Sequence, residues 1–292
     1  MSFSTIKMSI FCWLVTTLAP AIGYTQTSVP FHVSNVGDLD VKSLSVEILL
    51  DGQKKTFNLD TGAGRTMVKS DDQTRNFKRM DSVKSQGASG QQTVCNGVSI
   101  PAIALGDFVR LSLPGKQCDS NVGGTNNLGI DFFEGMIISI NSKKSQLNLN
   151  RKPIGGFYYY PMKRFSSGAN SLLGIPLTIG SQAIYGAFDT GAAMTAVDLK
   201  FVQAHPTFFE LYSRNAGGYD VNGQVFKAYI YKVKSLRIGP MILNDIFVSV
   251  FDFKDMRDYL GDDSPVIIGN NIILKANWIL DLQSNLWAIG LL

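Results

Sequence analysis

Short apolar stretches separated by glycine and polar turns run along most of the chain, and few of them have helical spacing. Residues 43–50 (SLSVEILL) mix apolar and polar positions as a half-buried strand does. Gly52 then turns the chain into 55–59, a second short run that ends at Asp60. Residues 172–179 (LLGIPLTI), the turn Gly180-Ser181 and residues 183–188 repeat this arrangement and end at Asp189. Two further hairpins are predicted, one from 136–140 and 146–149, the other from 278–282 and 286–289. Residues 198–214 are the best candidate for a long helix in the second half, with Pro206 starting or interrupting it. The pattern predicts a mostly β protein built from two similar halves. They join through 151–169, which is rich in proline, glycine and serine.

The repeat carries chemistry. Asp60-Thr61-Gly62-Ala63 and Asp189-Thr190-Gly191-Ala192 lie 129 residues apart, each after a strand-like run. A single Asp-Thr-Gly reads as a turn after a strand. Two in matching contexts bring one carboxylate from each half to a pseudo-twofold axis. Leu128-Gly129-Ile130 matches Ile268-Gly269-Asn270, with 69 residues from acid to glycine in the first half and 80 in the second. Between acid and glycine each half has a glycine-rich hairpin, with Gly87 and Gly90 in one and Gly217, Gly218 and Tyr219 in the other. These read as flaps over a cleft or as ordinary surface turns.

Taken together, these pieces resemble the aspartic protease superfamily over about residues 43–292. The resemblance implies a bilobal, aspartic-protease-like fold, and the short halves and the Ala in both motifs look more like a tandem retropepsin than a full pepsin. It implies an N-terminal lobe over 24–155 and a C-terminal lobe over 156–292. It also implies an aspartic endopeptidase in which Asp60 and Asp189 form a catalytic dyad. Two carboxylates at contact distance cannot both ionise cheaply, so they share a proton and can act as acid and base together; aspartic proteases are a standard illustration of this effect. Thr61 and Thr190 would each hydrogen-bond to the opposite loop, and Gly62 and Gly191 would let the two backbones approach. The substrate would be a peptide or protein segment in extended form. A non-catalytic peptide-binding or inhibitory protein on the same scaffold is the alternative.

Two departures from the family pattern stand out. Asn127 takes a place where the family shows an apolar residue, and neither motif has Ser or Thr after the glycine. Without a hydroxyl donor there, the dyad pKa values should stay higher, which gives an expected optimum of about pH 5–6.

Composition narrows the rest. The net charge is +4 with basic pairs scattered along the chain, which describes a solvated surface and not a nucleic-acid face. Residues 1–23 have signal-peptide form: Lys7, an apolar run over 8–19, then Ala19, Ala21 and Gly23 as small residues for cleavage. The alternative is an uncleaved anchor, the one case in which a membrane contact is expected. A secreted or periplasmic protein follows. Cleavage near Gly23 would leave little room for an inhibitory pro-segment. Cys95 and Cys118 remain after the signal segment and suggest one disulfide, the alternative being two free thiols. His32 and His205 show no metal-ligand spacing, so no metal and no cofactor are expected. Residues 158–160, three tyrosines, read as a strand between the lobes. The short linker favours a monomer.

Overall fold

Alternating apolar positions become pleated strands in both halves. Lys42–Leu50 buries Leu44, Val46, Ile48 and Leu50 on one face and pairs antiparallel with Gln53–Leu59, which adds Phe57 and Leu59 to the same core. In the second half Asn170–Ile179 buries Leu173, Ile175, Leu177 and Ile179 and pairs with Gln182–Phe188. Each such buried side chain stabilises the fold by roughly 1.5–3 kcal/mol. The second strand of each hairpin then takes a parallel partner, Asn127–Leu128 in one half and Val266–Ile268 in the other. The computed structural model describes residues 26–292 apart from 38, 88, 89, 91, 119–125, 168, 169, 221 and 222. The expected signal segment, 1–23, lies outside the described residues.

The chain forms three sheets. A seven-stranded sheet belongs to the first half and an eight-stranded sheet to the second. The third has six strands and is shared. Its centre joins the first half's closing hairpin, Ile137–Asn141 with Gln146–Asn150, to the second half's, Ala276–Asp281 with Leu286–Leu291. The contact between halves is a regular antiparallel ladder in which Ile140 faces Trp278 and Ile138 faces Leu280. Trp278 and Trp287 are buried against this sheet. Its edges are Thr27–Pro30 on one side and Tyr160–Pro161 on the other, so the tyrosine run does contribute a strand between the halves.

Two long hairpins stand over the junction. The first pairs Lys78–Gln86 with Gln92–Leu105, and the second pairs Phe209–Tyr219 with Val225–Ile238. The expected helix over 198–214 is corrected here. Only Leu199–Ala204 is α-helical, capped by the Asp198 side chain, and Pro206–Phe208 forms a single 3-10 turn. Phe209–Tyr219 is strand, because its backbone pairs with Val225–Ile238 and its Phe209 is buried in the core. Local propensity yields to this long-range pairing.

Cys95 and Cys118 are joined in a disulfide with their Cα atoms 4.5 Å apart. The bond fastens the first long hairpin to the residue just after the neighbouring strand Phe108–Gln117.

Candidate active site

Each aspartate sits where a strand ends. The Asp60 N–H donates to the Leu128 carbonyl at 3.0 Å, and the Asp189 N–H donates to that of Ile268 at 3.0 Å. A tight turn follows in both loops. Ala63 N–H donates to Asp60 O at 3.1 Å, and Ala192 N–H donates to Asp189 O at 3.3 Å. The loops are then held from below by Ile130 N–H to Ala63 O at 2.8 Å and Asn270 N–H to Ala192 O at 2.9 Å.

The two loops lock together through their threonines. Thr61 N–H donates to Thr190 Oγ1 at 3.0 Å, and Thr190 N–H donates to Thr61 Oγ1 at 3.1 Å. Thr61 Oγ1 also donates to the Phe188 carbonyl at 2.9 Å. Both threonines are buried, so these bonds form out of water. The glycines explain how close the loops come. A Cβ on Gly62 would lie 2.5 Å from Asp189 Oδ2, and one on Gly191 would lie 2.5 Å from Asp60 Oδ1. Each carboxylate therefore rests on the other half's glycine. The structure brings together Asp60, Thr61, Gly62, Asp189, Thr190 and Gly191 as one cluster.

Burial is the largest force on both carboxyls. Burial and the charge of Asp189 push the Asp60 carboxyl up to about 8. Burial pushes Asp189 up as well, opposed by the N–H groups of Gly191, Ala192 and Gly62. Gly191 N–H donates to Asp189 Oδ1 at 2.8 Å. The pair therefore keeps a proton well above the ordinary carboxylate range, the shared-proton state that acid–base work needs.

A second ring of residues supports each loop. Thr66 N–H and Oγ1 donate to Asp131 Oδ1 at 2.9 and 2.8 Å, and Gly129 N–H donates to Thr66 Oγ1 at 3.2 Å. In the other half Thr195 N–H and Oγ1 donate to Asn271 Oδ1, both at 2.8 Å, and Gly269 N–H donates to Thr195 Oγ1 at 3.0 Å. These four residues have no role in the motif-based reading. The signal was present, since both threonines lie six residues after the acid and both acceptors two after the glycine. Asn127, out of pattern in sequence, is buried and accepts a hydrogen bond from Asn58 Nδ2 at 3.2 Å. The corresponding pair in the second half is Ala187 and Ile267.

Two further groups reach the dyad's field without any motif to announce them. The Lys116 ammonium lowers the Asp60 pKa. The Tyr259 phenol is pushed up to about 12, first by burial and then by the charge of Asp189.

The hairpin tips meet. A Cβ on Gly87 would lie 2.5 Å from Asp220 Cγ, so the first tip abuts the second. Gly90 has a positive φ of 78° at its tip. Gly217 and Gly218 lie within the strand Phe209–Tyr219, paired with Lys227 and Phe226, and the second tip follows them at 220–224. Gly217 is needed for packing, since a Cβ there would lie 2.7 Å from Phe226 O. Tyr219 is exposed. His32 is exposed on its strand, and His205 stacks on Phe208 with ring centres 5.5 Å apart. Among the described residues no group of three or more His, Cys, Asp or Glu is placed to hold a metal ion. No helix among them is long and apolar enough to cross a membrane.

The same arrangement is found in known proteins. A crystal structure of aspartic proteinase from Irpex lacteus superposes with a TM-score of 0.56, covering 91% of this chain and 97% of that one at 13% sequence identity. At that identity the likeness is one of fold. A search of curated proteins finds no match in sequence. The aspartyl protease family matches residues 45–132 and 175–272, one segment around each Asp-Thr-Gly-Ala. On that match the chain belongs to the aspartyl protease family.

Proposed function

We propose that the protein is an aspartic endopeptidase that hydrolyses peptide bonds with water activated between Asp60 and Asp189. The observation that carries this reading is the reciprocal seating of the carboxylates, each against the other half's glycine, with the threonines bonded across the junction. One ionised carboxylate takes a proton from the water as its oxygen attacks the peptide carbonyl carbon. The protonated carboxyl gives its proton to the carbonyl oxygen. The tetrahedral species then collapses, the carbon–nitrogen bond breaks, and the amine leaves with a proton from the dyad. The extended substrate lies beneath the two hairpins, which must part to admit it.

Export is part of the proposal. It rests on the signal-like segment 1–23, and a disulfide suits an oxidising compartment. The protein would be secreted or periplasmic and would act as a monomer, since one chain supplies both halves of the dyad.

The test is digestion of a peptide library by the folded protein across about pH 3–8, read by mass spectrometry. Asp60→Asn and Asp189→Asn should each reduce cleavage by about 10³-fold or more. Folded protein that cleaves nothing at any pH would assign the scaffold to peptide binding without turnover.

A further inference from the structure

The second-ring residues allow the two halves to be matched position by position, and the match breaks at charged groups. Gly129 lies against the backbone of Arg65 and Thr66, each 2.7 Å from where a Cβ would be, and Gly269 lies against Met194 and Thr195 at 2.5 and 2.6 Å. Arg65 therefore corresponds to Met194. The Lys116 N–H donates to Thr66 O at 3.0 Å, and the Ser249 N–H donates to Thr195 O at 2.9 Å. Lys116 therefore corresponds to Ser249. The first half places two cations where the second has a thioether and a hydroxyl.

Both cations face the space that a substrate must occupy. On the strand Phe108–Gln117 the Gln117 side chain is buried and donates to Thr74, so Lys116 points to the opposite side. Its ammonium donates to Ser85 Oγ at 2.9 Å, on the strand that leads into the first hairpin tip. It thus bridges the space between that hairpin and the aspartate loop, and it is near enough to Asp60 to lower its pKa. Arg65 follows the Asp-Thr-Gly-Ala-Gly run directly, is half-buried, and lies close enough to Lys116 to depress the ammonium's pKa. Among the described residues neither cation has a carboxylate within ion-pair distance. Asp131, the anion of this ring, commits Oδ1 to Thr66, while Oδ2 is buried without a hydrogen-bond partner. Half-buried cations without partners are costly to maintain unless something bound supplies the opposite charge.

We propose that Arg65 and Lys116 form a subsite for an acidic side chain of the bound peptide, on the Asp60 side of the cleft. The corresponding place on the Asp189 side, lined by Met194 and Ser249, takes an uncharged side chain. An extended peptide can enter a twofold-symmetric cleft in either direction, and this difference in charge selects one of them. Arginine offers a planar fork to a carboxylate and lysine a point charge, so the pair suits Asp or Glu. The proposal rests on the peptide-cleft reading above but does not require turnover.

The experiment uses labelled ten-residue peptides, about the span of an extended segment under two flaps, uncharged except for one Glu moved along the chain. Each has a Gln twin, and each is made with an amidated and with a free C-terminus. Binding to the Asp60→Asn protein is read by fluorescence anisotropy, and cleavage by the unaltered protein is read by mass spectrometry. At one position Glu should bind about tenfold tighter than Gln, the worth of one good charged contact. The preference should vanish in both Arg65→Gln and Lys116→Met, and Met194→Arg with Ser249→Lys should create a second one on the other side. Glu and Gln twins that bind alike everywhere would overturn the subsite. So would a preference that survives both single variants, or one confined to the free C-terminus. Selective binding without cleavage would instead overturn the protease reading and leave the subsite standing.

Discussion

Thr66 gives its hydrogen bonds to a carboxylate, Asp131, and Thr195 gives the same bonds at the same lengths to an amide, Asn271. This difference is characteristic of the two halves. Their geometry is duplicated down to the hydrogen bonds of individual turns, while their electrostatics are not. Around the first loop stand Arg65, Lys116 and Asp131, and around the second Met194, Ser249 and Asn271. Only the first half carries a disulfide, and only the first half has a polar pair, Asn58 with Asn127, inside its central strands. A shared backbone scaffold fixes where two carboxylates meet, because each loop needs the other to satisfy its buried N–H groups. Charges around that scaffold can diverge without disturbing the meeting point.

The sharpest test of the shared geometry is at its glycines. Gly62→Ala and Gly191→Ala would each drive a methyl group into the opposite carboxylate. Each should cut peptide cleavage by about 10²-fold or more, the scale set by displacing a catalytic group by about 1 Å. Two equal losses in kcat would show that both loops matter alike. A large loss in only one would break the symmetry.

The disulfide tests whether the halves are held independently. Reduction of Cys95–Cys118 should cost about 3 kcal/mol for a loop of this size. In hydrogen exchange the amides of Gln92–Leu105 should lose protection while those of Val225–Ile238 keep theirs. Equal loss in both hairpins would mean that the halves unfold as one unit.

The threonine lock is not quite even. Thr61 Oγ1 accepts from Thr190 N–H and donates to Phe188 O, whereas the Thr190 hydroxyl accepts from Thr61 N–H and makes a longer contact of 3.4 Å to Thr61 Oγ1. Thr61→Val should destabilise by about 1–3 kcal/mol, and by more than Thr190→Val, in chemical denaturation. The reverse order would show that the lock is set by packing.

The smallest effect concerns the second ring. Burial raises the Asp131 pKa above its unfolded value. The sign follows from proton binding: the folded state holds this proton more tightly, so stability is fullest below the unfolded pKa and falls as pH rises through the folded one. Asp131→Asn should remove that slope, so the stability difference between the variant and the unaltered protein should grow from pH 4 to pH 8. Asn271→Asp should introduce a matching slope in the second half. Parallel pH curves for variant and unaltered protein would mean that Asp131 is compensated in place.

Much of this was written in the linear chain. Strand, turn and acid recur with little change of spacing, because a hairpin, its turn glycine and the residue that follows are local features with a period of two. The cysteine pair and the closing hairpins are legible for the same reason. The segment 198–214 misleads because its fate is decided by the partner strand Val225–Ile238 and not by its own residues. Tertiary structure alone decided that Gly62 meets Asp189 and Gly191 meets Asp60, since those contacts cross 127 and 131 residues of chain. It also put Arg65 and Lys116 on one wall of the cleft, although 51 residues separate them. The sequence determined a twofold repeat and its two acids. Folding decided which charges surround each acid, because Coulomb interactions depend on distance in space and burial, to which a sequence pattern is blind.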